Sequence, residues 1–269
     1  MDDVHLGAVP PVLDLRLEPE PLQLPQRLVQ RVDAFWRRTS AVEPALFRGP
    51  VYCVRKVELV GVQVLCARLA QTDFAHYLYS LRLGLPDAYA CRVFYAAGIL
   101  RTADDRLVFG EMAPHTAHAG RLQCVAGALD AADLSEGSFD LGLSLVREAQ
   151  EEIGVDLDDP SLVAGVHRRF LKEGGVGRAF VLLHEIELKS SFQSLMRHYR
   201  TFARALPGGQ AAEFQNLCAV PCEPKAVQRF LDTDLRPRAD YLGPLLRRLA
   251  GDGLDAALGS PDAEGQGPW

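Results

Sequence analysis

The sequence predicts an α/β protein whose helices pack on both sides of a mixed sheet, preceded by a small α+β unit. Apolar residues make up 48% of the 269 residues, enough to bury a sizeable core. From Tyr89 onward, strand-like and helix-like segments follow one another in mixed order. We therefore divide the chain into an N-terminal α+β domain over 1–89, a larger domain over 90–252 and a flexible, Gly/Pro-rich tail over 253–269.

The N-terminal part is predicted to contain two helices and a hairpin. A one-sided apolar pattern predicts a helix over 25–38. Two β-rich runs, 51–61 and 62–71, meet at Gly61 and predict a hairpin. A shorter helix is predicted over 72–84, where a glycine ends it. Together these elements form the small α+β unit.

The larger domain is predicted from its alternating patterns. Strands are expected where apolar and β-branched residues concentrate: 92–102, 106–112, 122–129, 161–171, 178–188 and 215–221. Helices are expected where apolar residues recur every three or four positions: 140–154, 194–206, 224–232 and 240–250. This order of elements predicts a mixed sheet that is covered by helices on both faces.

Composition and charge exclude several classes of partner. The net charge of −6 argues against a protein that binds nucleic acid through clustered Lys and Arg. No run approaches the roughly 20 apolar residues of a membrane-spanning helix, and the N-terminus lacks the basic start of a secretory signal. The six cysteines show no disulfide or zinc-site pattern. We expect a cytoplasmic protein that acts on a small molecule, and the sequence leaves a homodimer open.

The strongest chemical signal is the segment REAQEEIGV at 147–155. On a helical wheel with about 100° per residue, Glu148, Glu151 and Glu152 share an arc of roughly 100°. Aliphatic residues form a neighbouring stripe, so one edge of the helix is expected to pack while the other presents acid. Arg147 lies four residues before Glu151, where an ion pair can hold that carboxylate.

Three carboxylates on one helix face predict a metal site. They repel one another and favour protonation unless a cation neutralises them. A hard divalent ion, Mg²⁺ or Mn²⁺, suits a cluster made only of oxygen ligands, and it can stabilise charge during cleavage of a phosphoanhydride. The alternative is that the acidic face is simply solvated, as in most Glu-rich helices. The Arg, Gly and Val at fixed spacing favour the metal site.

The same residues resemble a known family motif. REAQEEIGV is similar to the second half of the Nudix box, Arg-Glu-aliphatic-x-Glu-Glu-x-Gly-aliphatic, and segment 98–112 resembles the family's opening hairpin. The resemblance implies a Nudix-type α/β/α sandwich. It implies that Glu148, Glu151 and Glu152 bind the divalent metal and that Arg147 orients a glutamate. Glu151, Glu152 and Arg147 are therefore the expected catalytic residues of the box.

The first half of the box departs from the family pattern, which has a Gly-Gly pair and two glutamates. This chain has a single Gly127, followed by Asp130. Phe139 stands where the second glutamate is expected, with seven residues between it and the arginine. Aligning Gly127 with the second glycine leaves about six extra residues before the helix. Asp140 or Glu136 is a candidate replacement for the missing acid.

A looser resemblance concerns the N-terminal domain. Segments 35–59 and 67–78 look like the leader domain of the animal Nudix proteins that hydrolyse UDP-glucose and UDP-galactose. Those proteins also carry an extended loop inside the box. This resemblance implies cleavage of a UDP-sugar to UMP and a sugar 1-phosphate.

Further site candidates lie outside the box. Nudix enzymes often add a carboxylate from elsewhere in the chain, acting as a metal ligand or base. Glu213, just before a late strand, is the first choice and Glu173 the second, although either can be a plain loop or turn residue. Other polar residues that are candidates near the site, but are more often ordinary surface residues, are Arg101, Arg178, His115 and His118.

Three functions follow from these patterns. The first is Mg²⁺-dependent hydrolysis of a nucleoside diphosphate linked to another group, with a UDP-sugar as the leading substrate. The second is the same chemistry on ADP-ribose, NADH, a nucleoside triphosphate or CoA. The third is a Nudix-like binding or regulatory module without turnover, which the irregular loop favours and the intact REAQEEIGV disfavours.

Overall fold

The computed structural model of the protein describes residues 3–257 except 45 and 62. Its strands form two sheets. The smaller sheet has strand order β3-β4-β2-β10-β9 and belongs mainly to the N-terminal part. The N-terminal elements are β1 (His5–Gly7), β2 (Val12–Leu17), α1 (Gln26–Val42), β3 (Pro50–Val60), β4 (Val64–Asp73) and α2 (Phe74–Leu83). Strands β3 and β4 form the predicted hairpin, and β2 pairs with β4 in parallel.

The larger sheet has strand order β1-β11-β12-β5-β6-β13, with β7 paired to β6 and β8 paired to β5. Its first strands and those of the inserted hairpin are β5 (Phe94–Arg101), β6 (Arg106–Met112), β7 (Leu122–Gln123), β8 (Val125–Ala128), β9 (Leu134–Ser135) and β10 (Ser138–Phe139). The remaining elements are α3 (Leu141–Ile153), β11 (Val163–Glu173), β12 (Phe180–Leu188), α4 (Phe192–Ala205), β13 (Phe214–Pro221), α5 (Pro224–Thr233) and α6 (Leu242–Ala257). Strands β12 and β5 run parallel and the other neighbours antiparallel, so the sheet is mixed.

Helices cover both faces of this sheet. Along β5, Phe94 and Ala96 point to the side that also buries apolar residues of α3 and α4. Ala97 and Ile99 point to the opposite side, where apolar residues of α5 and α6 pack. This two-residue alternation follows from the pleat of a strand and places one hydrophobic core on each face. The predicted α/β class is confirmed, with the helix–sheet–helix layering of an α/β/α sandwich.

The two parts of the chain exchange strands. Strand β1, from the N-terminal part, pairs antiparallel with β11 of the larger sheet. In return, β10 pairs with β2 of the smaller sheet, and β9 pairs with β10. The sequence patterns predicted β11 but missed β1, β2, β9 and β10. The boundary after residue 89 stays a prediction, and strand pairing crosses it in both directions.

Several element bounds differ from the sequence prediction. Helix α1 runs on to Val42, four residues beyond its predicted end at residue 38. The strand predicted over 122–129 is two short strands, because its halves pair with different partners. Helix α6 continues to Ala257, so residues 253–257 of the predicted tail are helical. The rest of that tail, 258–269, lies outside the described residues.

The described residues contain neither a helix that could cross a membrane nor a disulfide bond. Among them, every helix is too short or too polar to cross a membrane. All six cysteines are free thiols: Cys53, Cys91, Cys124 and Cys222 are buried, and Cys66 and Cys218 are half-buried.

The glycine that ends α3 supports a first prediction. Gly154 has φ 67°, and a Cβ there would lie 2.3 Å from the ring of Phe202 on α4. We expect Gly154→Ala to lower the free energy of unfolding by about 2–4 kcal/mol, because left-handed strain and overpacking add. Gly208 has φ 65° but a Cβ there meets nothing within 4 Å, so Gly208→Ala is expected to cost only about 1 kcal/mol. Urea unfolding of both variants measures the difference; equal losses would contradict the packing of α4 on this helix end.

Candidate active site

Helix α3 carries the predicted carboxylates and begins and ends as its sequence suggests. The Asp140 side chain accepts hydrogen bonds from the backbone N–H groups of Gly142 and Leu143, which caps the helix N-terminus. Gly154 ends the helix in the left-handed conformation. One side of the helix buries aliphatic residues against the sheet, with Leu145 and Ile153 almost fully covered.

The acidic face is less exposed than the helical wheel predicted. Glu148 is 8% exposed and Glu152 only 1%, whereas the Glu151 side chain is 60% exposed. The helical wheel predicted that one edge packs while the other presents acid; on that acidic edge Glu148 and Glu152 are buried and Glu151 is exposed. The reason is strand β8, which lies against the carboxylate side of the helix and leaves only Glu151 outside.

Strand β8 makes room for the buried carboxylates through its glycine. A Cβ on Gly127 would lie 1.9 Å from Glu148 Oε1, so the glycine leaves the space that this carboxylate occupies. The neighbouring Ala126 N–H donates to Glu152 Oε2 at 2.9 Å. Glu152 Oε1 is buried and has no hydrogen-bond partner. A buried carboxylate oxygen without a partner is costly, which marks this point as one where a cation can add stability.

The electrostatics of the two carboxylates are strongly perturbed. Burial raises the pKa of Glu148 to about 7; the nearby Arg147 acts against this rise, and the charges of Glu151 and Glu213 add to it. Burial, followed by the charges of Glu213 and Glu148, raises the pKa of Glu152 well above its ordinary value. Both carboxyl groups therefore resist ionisation in the metal-free protein, as crowded acids do when no cation is present.

Arg147 holds the acidic cluster together. Its guanidinium donates to Glu148 Oε1 at 2.5 Å and more weakly to Glu151 Oε2 at 3.4 Å. It also donates to Asp133 through Nη2 at 3.0 Å and Nε at 3.3 Å, and to the Ala128 carbonyl at 3.2 Å. The predicted i,i+4 pair with Glu151 is present, but the two-pronged contact with Asp133 is the tighter one. Arg147 thus contacts Glu148 and Glu151 on one side and Asp133 on the other.

Asp133 is the residue that sequence reasoning missed. Its side chain is 2% exposed, and besides Arg147 it accepts the backbone N–H of Asp130 at 2.8 Å. Counting back from Arg147 gave Phe139 as the position of the second box acid. The buried acid that contacts Arg147 is Asp133, which directly precedes the hairpin β9–β10. The extra residues, 134–139, form that hairpin. Counting forward from Gly127 across the short turn would have found Asp133.

The other candidates for the missing acid have structural roles. Phe139 is a buried strand residue, 4% exposed, that packs against Tyr52 of the N-terminal sheet. Asp140 caps α3, and Glu136 lies in the exposed turn between β9 and β10 with φ 50°. Asp130 caps the short helical turn that ends at Asp133. Neither Asp140 nor Glu136 takes the place of the missing acid at Arg147.

The two acids proposed from outside the box lie in different places. Glu213 precedes β13, and its carbonyl accepts the Ala113 N–H at 2.7 Å. Its charge acts on both buried carboxylates, which places it beside the cluster. Glu173 ends β11 and lies opposite His5 of β1 on the edge of the sheet. The structure therefore groups Glu213, and not Glu173, with the carboxylate helix.

The remaining predicted residues are engaged elsewhere. Arg101 pairs with Asp105 at 2.7 Å and with the buried Glu185 at 3.0 Å. Arg178 forms an ion pair with Asp87. His115 is exposed in the loop between β6 and β7, and burial together with Arg121 and Arg82 lowers the pKa of His118 to about 4. Arg101 and Arg178 thus pair with acids other than those of the carboxylate cluster.

The cluster fits a divalent metal by its donors, although no ready cage exists. Within residues 3–257, no group of three or more His, Cys, Asp or Glu side chains is arranged to hold a metal ion as the side chains stand. Arg147 Nη1 contacts one oxygen of Glu148 and one of Glu151. The unpartnered Glu152 Oε1 and the all-carboxylate donor set still fit a hard cation. A metal would have to share or displace the contacts of Arg147.

Comparison with known proteins gives likeness of fold only. No family model matches the chain, and no curated protein matches it significantly. Protein DR0079 from Deinococcus radiodurans is 17% identical, with a TM-score of 0.44 over 75% of this chain and 99% of that chain. The NUDIX domain of Shewanella oneidensis NrtR, solved with ADP ribose, is 14% identical, with a TM-score of 0.36 over 66% of this chain and 98% of that one.

A third similar structure is a bifunctional NMN adenylyltransferase/ADP ribose pyrophosphatase from Francisella tularensis, complexed with AMP and a Mn ion. It is 14% identical, with a TM-score of 0.40 over 64% of this chain and 46% of that chain. At these identities and TM-scores, the likeness to NUDIX structures assigns neither a family nor an activity to the chain.

The glycine beneath the carboxylates yields a second prediction. In Gly127→Ala the new methyl group would push away the Glu148 carboxylate, which is the end of a flexible side chain, so the fold is expected to persist. We expect Mn²⁺ affinity to fall about 10- to 100-fold, the range for disturbing the support of a metal ligand. Gly165→Ala is the matched control, because its Cβ would meet only the His167 ring at 2.7 Å on β11. If both variants bind Mn²⁺ like wild type, Glu148 is not a ligand.

Proposed function

We propose that this protein is a Mg²⁺- or Mn²⁺-dependent Nudix hydrolase that cleaves a nucleoside diphosphate linked to another group. The observation that carries the proposal is the burial of Glu148 against Gly127 and of Glu152 beside Ala126, with Glu152 Oε1 buried and unpartnered. Two adjacent buried carboxylates destabilise a protein unless a cation joins them. Oxygen ligands of this kind select a hard divalent ion.

Each residue of the cluster has a role in the proposal. Glu148, Glu151 and Glu152 bind the metal, and Arg147 sets the position of Glu148 and Glu151. A bound divalent ion supplies stabilisation of the negative charge that grows on the phosphate oxygens. Exposed Glu151 contributes from the open side, where solvent and substrate have access.

Glu213 is proposed to accept the proton of the attacking water. It is exposed and lies beside the buried carboxylates, so it can contact both solvent and a phosphate held at the cluster. Attack by the water oxygen at phosphorus breaks one P–O bond of the diphosphate, and the proton passes to Glu213. The products are two phosphate monoesters, and general-base help of this kind contributes roughly 10²- to 10⁴-fold to a rate.

The finer proposal is that the substrate is a UDP-sugar, cleaved to UMP and a sugar 1-phosphate. It is supported by the resemblance of the N-terminal domain and by the loop inserted before α3. That loop is the hairpin β9–β10, and it pairs with the N-terminal sheet instead of projecting freely. The residues inserted in the altered box are thus paired with a strand of the N-terminal sheet.

A substrate panel tests the proposal. UDP-glucose, UDP-galactose, ADP-ribose, NADH, nucleoside triphosphates and CoA are incubated with the protein and Mg²⁺ or Mn²⁺. Substrates and nucleotide products are separated by anion-exchange chromatography and quantified by the absorbance of the base. We expect fastest turnover of UDP-sugars and none in EDTA. Faster turnover of ADP-ribose, NADH, a triphosphate or CoA would overturn the UDP-sugar assignment alone.

One observation favours a second candidate, a Nudix-fold binding module without turnover. Arg147 holds Glu148 and Glu151 in a closed ion-pair network, with no three-ligand group among the described residues. This candidate predicts that nucleotides bind, measured by calorimetry, while no member of the panel is hydrolysed. That pair of results would replace the hydrolase proposal.

A further inference from the structure

We propose that the N-terminal sheet is a positioning element of the carboxylate site, acting through Tyr52 and the hairpin β9–β10 on Asp133. The link to metal binding rests on the proposed function, whereas the link from Tyr52 to Arg147 does not.

The hairpin is anchored on the N-terminal sheet by its backbone. Ser138 of β10 lies opposite Arg16 of β2. The Leu17 N–H donates to the Gly137 carbonyl at 2.9 Å, and Ser138 Oγ donates to the Leu15 carbonyl at 3.2 Å. Strand β2 is itself paired with β4, so the hairpin extends a larger, supported sheet. The hairpin is therefore a continuation of the N-terminal sheet.

An aromatic contact reinforces this anchoring. The rings of Tyr52 on β3 and Phe139 on β10 lie 4.5 Å apart between centroids, at an angle of 57°. Both residues are buried, at 6% and 4% exposure. Burial and then the charges of Asp130 and Asp133 raise the pKa of Tyr52, which places its phenol beside the acidic turn. Tyr52 thus contacts the hairpin and adjoins the turn that holds Asp133.

The hairpin base fixes Asp133 directly. Asp133 is the residue before β9, and its carbonyl accepts the Asp140 N–H, from just after β10, at 2.9 Å. Its carboxylate accepts hydrogen bonds from Nε and Nη2 of Arg147, and Nη1 of the same guanidinium donates to Glu148. A shift of the hairpin would move Asp133, then the guanidinium, then the Glu148 carboxylate. Tyr52 is accordingly a positioning residue and not a catalytic one.

The test reads the position of Arg147 without any metal or substrate. The Nε–H signal of Arg147, identified by its loss in Arg147→Lys, is recorded by ¹H–¹⁵N NMR on the full-length protein in EDTA. We expect Tyr52→Leu to shift or broaden this signal and Tyr52→Phe, which keeps the ring, to leave it in place. Phe139→Leu is the second variant for the same contact, should Tyr52→Leu fail to fold.

Val51→Ala is the matched control. Val51 is the neighbouring residue of β3, is similarly buried at 6%, and packs in the separate cluster with Cys53 and Cys91. Its truncation is expected to lower stability without moving the Arg147 signal. An unchanged signal in both Tyr52→Leu and Phe139→Leu, or an equal change in Val51→Ala, would overturn the positioning role.

Metal affinity supplies the second readout. By Mn²⁺ titration with electron paramagnetic resonance, we expect Tyr52→Leu to weaken binding about 10-fold, as loss of outer support for metal ligands does. In an Asp133→Asn background the same substitution is expected to have no further effect, because Tyr52 acts through Asp133. Additive losses would overturn that route. A moved Arg147 signal in a protein that neither binds Mn²⁺ nor hydrolyses the panel would refute the proposed function and leave the positioning role intact.

Discussion

Glu152→Gln is expected to remove most metal-dependent hydrolysis, on the order of 10³-fold in kcat, while the protein stays at least as stable as wild type. Glutamine keeps the volume and the oxygen that accepts the Ala126 N–H. It removes a carboxyl group whose pKa is raised by burial, Glu213 and Glu148. Because this group ionises more readily in the unfolded chain, it destabilises the metal-free fold at neutral pH. Loss of activity with gain of stability is the signature of a residue kept for its chemistry.

Glu185→Gln is the matched control for this result. Glu185 is also a buried glutamate, but it pairs with Arg101 at 3.0 Å and Arg169 at 3.3 Å on another part of the sheet. Its substitution is expected to lower stability and leave kcat of the folded protein unchanged. Thermal unfolding in EDTA and steady-state kinetics on both variants give the comparison. If Glu152→Gln retained wild-type kcat, Glu152 would not be a metal ligand.

Arg147→Met is expected to reduce both stability and activity. Removing the guanidinium leaves Asp133, whose side chain is 2% exposed, as an unpaired buried charge. Breaking one side of a buried pair costs about 3 kcal/mol or more. The Glu148 carboxylate loses its 2.5 Å contact at the same time, so activity is expected to fall roughly 10²-fold. Arg147→Lys keeps the positive charge but cannot donate two parallel hydrogen bonds to Asp133. It is therefore expected to retain only part of the stability and part of the activity that Arg147→Met loses.

A surface arginine and a double substitution separate the causes. Arg106→Met breaks a pair with Asp104 in which both side chains are 41% exposed, and is expected to cost less than about 1 kcal/mol. Arg147→Met combined with Asp133→Asn should recover part of the stability, because no buried charge is left, but none of the activity. Urea unfolding and kinetics measure both. Equal stability losses for the two arginine variants would contradict the role of Asp133.

Local sequence patterns predicted the parts of the site that depend on neighbours in the chain. The spacing of Glu148, Glu151 and Glu152 and the glycine after them are properties of one helix, so α3 and its end at Gly154 could be predicted. The alternation of apolar residues likewise predicted the sheet and the helices on both faces.

The rest depends on contacts between distant segments. Glu148 of α3 is buried against Gly127 of strand β8. A helical wheel of α3 contains no residue of that strand. The pairing of Ser138 with Arg16 joins a strand of two residues to a strand of six from a distant part of the chain, and two residues are too short for a periodic signal. Asp133 was missed because the count back from Arg147 runs through the hairpin β9–β10, whose residues 134–139 are inserted between them.

Phosphorus NMR of UDP-glucose incubated with the protein tests the central claim, that the carboxylate helix supports metal-dependent cleavage of a phosphoanhydride. With Mg²⁺, we predict that the diphosphate signals are replaced by those of UMP and glucose 1-phosphate in equal amounts. EDTA or Glu152→Gln should leave the diphosphate signals intact. Intact signals with Mg²⁺, together with no cleavage of any other nucleotide diphosphate, or equal cleavage in EDTA, would contradict the claim.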